Sequence, residues 1–413
     1  MTRYVTTMWE AKAIDGRAGQ IVDCLSNCVV PQITSRYPQC IAQVYRSADE
    51  RVVLVATGAE WSPEIPDMPH GLSERPPHQW RFEPCGALQT QDWQETVGTR
   101  VLGEGVIVRD IQYSESVDTI DDSGNLLDLY LPDGADGPVP LVIWTMGSGF
   151  TAPSGRDAGE KFAAQLLPHG YAVAAVAVRG SYQAQFPAQK HDTLDAVAFL
   201  RSNAAQYSLD PGRFAYIGHS SGGWSAAVAG TAGHGESAVN AVIALSAPTD
   251  IAAMDRQALP DAGQRIAAGR VESDALDVLP AFDGRHEAAG SPEGMLLGGS
   301  VSSRRDKAAA ASPALHVTPE GPPFLIVHGT EDEYVPFAQG ATLYRALADA
   351  GRDVTFVVLA GGNHSASLPP WESQVVQKAT QTQSVGCRAT LTSRVSGDGW
   401  SQILSFLDKH LSR

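Results

Sequence analysis

The chain contains few cysteines and few basic residues for its length. Its 413 residues include five cysteines, an odd number spread unevenly, which argues against a disulfide framework and predicts reduced core thiols in a cytoplasmic protein. Lys and Arg total 30 against 46 Asp and Glu, so the formal net charge is −16. Because an acidic surface repels phosphate backbones, we expect no nucleic-acid partner.

Long apolar runs are also missing. No stretch of about 18 apolar residues occurs, so no membrane-spanning helix is expected. Residues 1–12 contain no apolar signal core, so we expect no secretory signal and a cytoplasmic location. Hydrophobic residues make up 43% and charged residues 18%, as in globular proteins. Because single cores stop growing near about 250–300 residues, two domains are predicted.

The first 85 residues have the pattern of a small α+β domain. Four segments favour strands: 3–12, 39–47, 51–57 and 79–84. Between the first two, apolar residues such as Ile21, Val22 and Leu25 recur at nearly helical spacing. One helix covers one face of such a sheet, so its other face must pack either on a second copy of the chain or on the domain that follows.

This element order resembles the ferredoxin-like modules of the antibiotic-biosynthesis-monooxygenase family, which dimerise sheet to sheet. The resemblance implies a homodimer formed through residues 1–85. An alternative would put cofactor-free oxygenase chemistry in this module, but it shows no convincing His or Trp constellation.

A predicted linker, residues 86–104, leads into a second pattern over residues 105–413. Short apolar strands are expected at 105–113, 126–131, 140–146, 172–179, 214–219, 241–247, 324–329 and 354–360. Helices are expected near 157–168, 190–206, 222–231, 336–350 and 398–412. This alternation predicts an α/β fold with a mostly parallel sheet covered on both faces. Residues 251–312 interrupt it and suggest a helical cap or lid, and residues 373–397 suggest a long polar loop.

One motif in this region is typical of nucleophilic catalysis. Residues 218–222 spell Gly-His-Ser-Ser-Gly, a G-x-S-x-G sequence between an apolar strand and an Ala-rich helix. A sharp turn there holds the serine hydroxyl above the sheet, and the glycines leave room for neighbouring backbone. The motif predicts Ser220 as a nucleophile.

A serine hydroxyl needs an aligned base, and an acid must orient that base. His364 follows an apolar strand and the pair Gly361-Gly362, so it is the predicted base. The loop after residues 324–329 offers Glu331, Asp332 and Glu333 as acids. Loops that follow parallel strands converge at one sheet edge. His328, at the end of its strand, is predicted to be a structural hydrogen-bonding residue.

Several motifs of this region resemble carboxylesterases of the α/β-hydrolase fold. They include GHSSGG, HGTEDEYVP and SPEGMLLGG, and the likeness is to the acetyl-xylan and feruloyl esterase-like group, near hormone-sensitive-lipase and prolyl-oligopeptidase relatives. The resemblance implies Asp332 as the acid and His364 as the base. Asp250 is the alternative acid, and Glu331 and Glu333 are expected to be solvated loop charges.

The tetrahedral oxyanion of ester hydrolysis also needs hydrogen-bond donors. The expected donors are the main-chain N–H groups of Gly147, Ser148 and Ser221. The resembled family has His-Gly-Gly-Gly in the first of these loops, whereas this chain has Met146 in place of the histidine and Ser148 in place of the second glycine.

The resulting hypothesis is a serine hydrolase that cleaves small-molecule carboxylic esters through an acyl-enzyme, with no metal and no cofactor. Cys24 and Cys28 lack a partner pair at zinc spacing and are expected to pack in a core. The same triad could serve a biosynthetic tailoring hydrolase, a thioesterase, an acyltransferase or a peptidase. A non-catalytic binding protein with a degenerate hydrolase fold is the alternative outside enzymes.

Overall fold

The computed structural model divides the chain into two compact units, Met1–Gln94 and Glu95–Arg413. It describes residues 4–12, 21, 25, 41–46, 51–59, 78–82, 99–102, 105–114, 123–135, 137–269, 282–369, 379–385, 388–392 and 399–412. The boundary between the units falls inside residues 86–104. The division into module, linker, catalytic domain and cap stays a prediction.

In the first unit, four antiparallel strands pair in the order β2-β3-β1-β4. They are β1 (Tyr4–Lys12), β2 (Ile41–Arg46), β3 (Arg51–Ala59) and β4 (His78–Phe82). Val52 and Leu54 lie two residues apart on one face of β3, and both are buried, as is Ala11. Ile21 and Leu25 are also buried, but the rest of the predicted helix, and Cys24 and Cys28, lie outside the described residues. The ferredoxin-like resemblance and the dimer stay predictions.

The second unit is built on an eleven-stranded sheet with the order β15-β14-β13-β12-β11-β10-β8-β9-β7-β6-β5. The strands are β5 (Thr99–Leu102), β6 (Gly105–Gln112), β7 (Leu126–Pro132), β8 (Val139–Thr145), β9 (Ala172–Val176), β10 (Leu209–His219), β11 (Ala241–Leu245), β12 (Phe324–Gly329), β13 (Val354–Leu359), β14 (Ala379–Val385) and β15 (Arg388–Thr392). The six central strands, from β9 to β13, run parallel, and the strands on both sides pair antiparallel. The central strands are mostly apolar because both faces of the sheet are covered there.

Helices cover both faces of this sheet. They are α1 (Gly159–Leu166), α2 (Ala188–Ser202), α3 (Ser221–Ala232), α4 (Met254–Gln257), α5 (Ala262–Gly269), α6 (Pro292–Leu297), α7 (Arg305–Ala310), α8 (Ala338–Asp349) and α9 (Gly399–Leu411). In β8, Trp144 packs toward α1 and α9, whereas Ile143 packs toward α2, α3 and α8. Among the described helices, none has the length and apolar character to span a bilayer.

Two segments that interrupt the expected pattern have distinct structures. The described residues of 251–312 include four short helices, α4 to α7. An apolar cluster joins α6 and α7 to Trp224 of α3, whose indole N–H donates to the Ala311 carbonyl at 2.6 Å. The predicted loop 373–397 contains the antiparallel strands β14 and β15. Backbone pairing with the edge of β13 creates this hairpin, and a polar sequence gives no apolar alternation that would indicate it.

Candidate active site

Ser220 lies at the sharp junction between β10 and α3. Its φ of 58° and ψ of −126° are a strained backbone conformation for a non-glycine residue, and its amide is fixed by a 2.9 Å bond to the Leu245 carbonyl. A Cβ atom at Gly218 would lie 2.0 Å from the Gly222 carbonyl oxygen, and one at Gly222 would lie 2.0 Å from the Thr145 carbonyl oxygen. Backbone crowding therefore explains both glycines of the motif.

Asp332 and His364 meet on loops that follow the adjacent parallel strands β12 and β13. His364 Nδ1 lies 2.9 Å from each carboxylate oxygen of Asp332. The amides of Tyr334 and Val335 donate to Asp332 Oδ1 at 3.0 and 2.8 Å, which holds the carboxylate in its own loop. The predicted acid and base are thus hydrogen-bonded to each other at the sheet edge.

The charges of this pair are mutually stabilising. Burial raises the pKa of Asp332, but the charges and hydrogen bonds of His364 and His328 outweigh burial and hold that pKa well below its usual range. Burial lowers the pKa of His364, but the charge and hydrogen bond of Asp332, together with the charge of Glu333, raise it above its usual value. The ionised carboxylate therefore favours a protonated imidazole, as a base that must carry a proton during a reaction requires.

Ser220 and His364 border one cavity of about 230 Å³. Its lining residues are Met146, Gly147, Ser148, Gly149, Phe150, His219, Ser220, Ser221, Pro248, Phe282, His286, Pro292, Glu293, Tyr334, Val335, His364, Ser365 and Leu368. No hydrogen bond joins Ser220 Oγ to the His364 ring in the described part of the chain. Such bonds often tighten only when substrate binds.

The loop after β8 lies directly against the serine. A Cβ atom at Gly147 would be 2.4 Å from Ser220 Cβ, so only glycine fits there. The Ser148 amide donates to Ser221 Oγ at 2.9 Å, and Ser148 Oγ donates to the Ala152 carbonyl at 2.7 Å. The hydroxyl and the backbone amide of Ser148 thus both hold this loop, in which Met146 stands where the resembled family carries a histidine. Among the described residues, the amides of Gly147 and Ser221 have no acceptor.

The other acidic candidates have different surroundings. The Asp250 amide donates to the Gln339 side chain at 2.7 Å, and no described contact joins its carboxylate to His364. Glu331 is exposed and pairs with Arg265, as expected of a loop charge. Glu333, also predicted to be solvated, instead accepts the backbone N–H of His364 at 3.1 Å. The loops after β12 and β13 fold toward each other, and this places the Glu333 carboxylate against the backbone of His364.

Two further histidines support the site. His328 is fully buried, and its Nε2 lies 2.9 Å from the Val335 carbonyl and 3.2 Å from Asp332 Oδ2, in agreement with a structural role. His219, which precedes the serine, was not singled out from sequence. Its Nε2 lies 3.1 Å from the His364 carbonyl, and burial, then the charge of His364, lower its pKa to about 3. A neutral His219 thus braces the loop that carries His364.

The cap contributes a second histidine–carboxylate pair, which the sequence did not indicate. His286 Nδ1 lies 2.9 Å from Glu293 Oε2, and both residues border the cavity. The only sequence signal near it is the SPEGMLLGG motif, in which Glu293 follows Ser291-Pro292. Within the described ranges, no group of three or more His, Cys, Asp or Glu side chains could hold a metal ion.

Known proteins similar to this chain are esterases. Esterase LipQ of Mycobacterium tuberculosis is 27% identical over 254 residues, which are 59% of this chain and 55% of that protein. Esterase LipC of the same organism is 23% identical over 261 residues, covering 60% of this chain and 58% of LipC. Each match therefore spans little more than half of the curated relative.

Fold comparison and a family model agree with these relatives. A truncated carbohydrate esterase from gut microbiota has a TM-score of 0.56 at 23% identity, over 75% of this chain and 98% of that one, which shows a shared fold. The BD-FAE family model matches residues 127–347, more than half of the chain. These findings confirm the expected fold and the resemblance to esterases: the chain has an α/β-hydrolase fold and belongs to the BD-FAE family.

Proposed function

We propose that this protein is a carboxylesterase-type serine hydrolase that uses Ser220, His364 and Asp332. The observation that carries the proposal is the 2.9 Å contact of His364 Nδ1 with the buried Asp332 carboxylate, at the cavity that Ser220 also borders. Family membership and the esterase relatives support ester hydrolysis as the reaction class.

In the first half of the reaction, Ser220 Oγ attacks the ester carbonyl and its proton passes to His364 Nε2. Asp332 accepts the Nδ1 hydrogen bond and stabilises the imidazolium that forms. His364 then protonates the leaving alcohol, and the acyl group remains on Ser220. In the second half, water loses a proton to His364 and attacks the acyl-enzyme. His364 then returns this proton to Ser220 Oγ as the bond to the acyl group breaks and the carboxylic acid leaves.

The oxyanion receives hydrogen bonds from the amides of Gly147 and Ser221. The Ser148 amide, the third predicted donor, is engaged with Ser221 Oγ. We propose that it acts through that hydroxyl, because an oxygen that accepts one hydrogen bond still has its own proton to donate. Helix α3 begins at Ser221, and its N-terminus favours the developing negative charge.

The size of the cavity favours a small substrate. Ligand sites for drug-sized molecules have volumes of about 300–1,000 Å³, and this cavity is smaller, at about 230 Å³. We therefore propose that a short acyl chain occupies it, with wall residues of the cap setting the chain length.

The test compares wild type with Ser220→Ala. Wild type should react covalently with a fluorophosphonate and hydrolyse short esters, and the variant should do neither while keeping its melting temperature. Thioesters and aminoacyl amides in the same panel separate an esterase from a thioesterase or peptidase. Labelling that persists in Ser220→Ala would contradict the proposed nucleophile, and a wild type inert to every ester would favour the binding-protein alternative.

The homodimer through residues 1–85 remains a separate proposal, supported by the uncovered sheet face that the sequence predicts. Light scattering of the full chain at micromolar concentration tests it, and a monomer would refute it.

A further inference from the structure

The proposed base, His364, packs against two other rings that the mechanism has not used so far. The Tyr334 ring lies 5.3 Å from the His364 ring, centroid to centroid, at an interplanar angle of 47°. The His219 ring lies 4.7 Å from the same imidazole, at 50°. Aromatic side chains at these separations pack in contact. The imidazole is therefore held by ring contacts as well as by its hydrogen bond.

The hydrogen bond alone leaves part of the orientation of the imidazole open. Asp332 holds Nδ1 at 2.9 Å, and no hydrogen bond from the described residues holds Nε2. A ring fixed at one nitrogen can still tilt, and a tilt moves Nε2, the atom that takes the proton from Ser220. Since a misplacement of about 1 Å can cost about 10²-fold in rate, whatever restricts this tilt affects catalysis.

Tyr334 is itself held on two sides. Its backbone N–H donates to Asp332 Oδ1 at 3.0 Å, so its main chain is tied to the carboxylate that binds the base. Its ring stacks on Phe282 of the cap, with 6.3 Å between centroids and an interplanar angle of 21°. Tyr334, Phe282 and His364 all border the cavity. The Tyr334 ring therefore contacts the base and the cap at once.

We infer that Tyr334 is a positioning residue for the base: its ring restricts the tilt of His364 and keeps Nε2 directed at Ser220. Phe282 supports the Tyr334 ring from the cap, so the cap contributes to the reaction rate as well as to the cavity wall. The inference rests on the proposed serine hydrolase function and concerns how its base is held.

This role differs in its consequences from two simpler ones. A residue that only lined the cavity would affect esters differently according to the size of their acyl chain. A residue that only stabilised the fold would lower the melting temperature without a specific loss of kcat. A positioning residue lowers kcat by the same factor for every ester, because every ester uses the same base.

The experiment measures kcat and KM of Tyr334→Leu and Tyr334→Phe on methyl acetate and methyl butanoate, with acid release followed by titration. Tyr334→Leu removes the ring and should lower kcat by about 10- to 100-fold, equally for both esters and with KM little changed. The rate of fluorophosphonate labelling at Ser220 should fall in step, because His364 also takes the Ser220 proton in that reaction. Tyr334→Phe keeps the ring and should keep most of kcat.

The matched control is Tyr344→Leu. The Tyr344 ring is partly buried and stacks on Phe356 at 5.8 Å, but it does not border the cavity, so its loss should leave kcat unchanged. Phe282→Leu removes the stack on Tyr334 and leaves the ring contacts of His364 in place. It should lower kcat less than Tyr334→Leu does, and it is the second test if Tyr334→Leu fails to fold.

Full kcat in Tyr334→Leu, or in Phe282→Leu where the first variant does not fold, would overturn the inference and leave the proposed function standing. An equal loss in Tyr334→Phe, an equal loss in Tyr344→Leu, or a loss that differs strongly between the two esters would also overturn it. A wild type inert to both esters and to the fluorophosphonate would overturn the proposed function, and the inference with it.

Discussion

Two histidine–carboxylate pairs border the same cavity, and they are built differently. Asp332 holds His364 on loops that follow the neighbouring strands β12 and β13, and two backbone amides of its own loop fix the carboxylate. Glu293 holds His286 within the cap, seven residues away along the chain. An apolar cluster joins the cap to Trp224 of α3.

The two pairs differ in which elements of the fold position them. The first pair stands where parallel strands end, so the rigid sheet positions it against the Ser220 turn. The second pair lies on an insertion that packs against helix α3 through the apolar cluster around Trp224 and through the hydrogen bond from Trp224 to the Ala311 carbonyl. A single hydrolytic centre can therefore acquire different substrate preferences through its cap.

The largest expected effect distinguishes the two pairs directly. Asp332→Asn removes the charge that stabilises the imidazolium and should lower kcat about 10⁴-fold. Glu293→Gln should lower kcat on methyl butanoate far less, because no proposed step passes through it. Steady-state kinetics on that ester measures both.

Asp250→Asn serves as the control for Asp332, since the Asp250 amide, not its carboxylate, makes the described contact with Gln339. Equal losses of kcat in Asp332→Asn and Glu293→Gln would contradict the prediction that only the Asp332–His364 pair takes part in the proposed reaction. A larger loss of kcat in Asp250→Asn than in Asp332→Asn would identify Asp250, in the loop after β11, as the acid that orients His364.

A smaller but still large effect is expected at the loop that faces the serine. Gly147→Ala would bring a methyl group 2.4 Å from Ser220 Cβ and 3.0 Å from Ser220 Oγ, displacing the loop. Loss of one oxyanion donor typically costs about 10²–10³ in kcat, and we expect a loss of that size. Gly290→Ala in the cap is the control, because a Cβ there meets no atom within 4 Å. Full activity in Gly147→Ala would contradict the proposal that the Gly147 amide binds the oxyanion.

The smallest effect is a shift in pH dependence. The base acts when neutral, so kcat/KM falls as the pH drops through the pKa of His364 in the free enzyme. The charge of Glu333 raises that pKa. Glu333→Gln should therefore lower the pKa of His364 and move the acidic limb of the kcat/KM profile to lower pH.

Glu331→Gln is the matched control for this shift, because Glu331 is exposed and pairs with Arg265. Its profile should coincide with that of wild type. A shift in the opposite direction, or an equal shift in both variants, would contradict the assignment of Glu333 to the base.

Much of the second unit could be predicted because its signals are local. Each predicted strand from 105 to 360 exists within a few residues, since buried parallel strands are short apolar runs between glycine-rich turns. The pairing of Asp332 with His364 followed from chain order and strand ends, together with the family resemblance. The hairpin of β14 and β15 was missed, because its polar residues carry no apolar alternation and its backbone pairing is long-range.

Sequence alone thus determined the strand–turn–helix around Ser220, since crowding at Gly218 and Gly222 is a property of a few neighbouring residues. Only the tertiary structure decided what surrounds that turn. Glu333 meets the His364 amide, Ser148 meets Ser221 Oγ, and His286 reaches the cavity because loops and cap fold over the sheet edge. These contacts join residues that are distant in sequence or lie outside any regular period, so no local pattern encodes them.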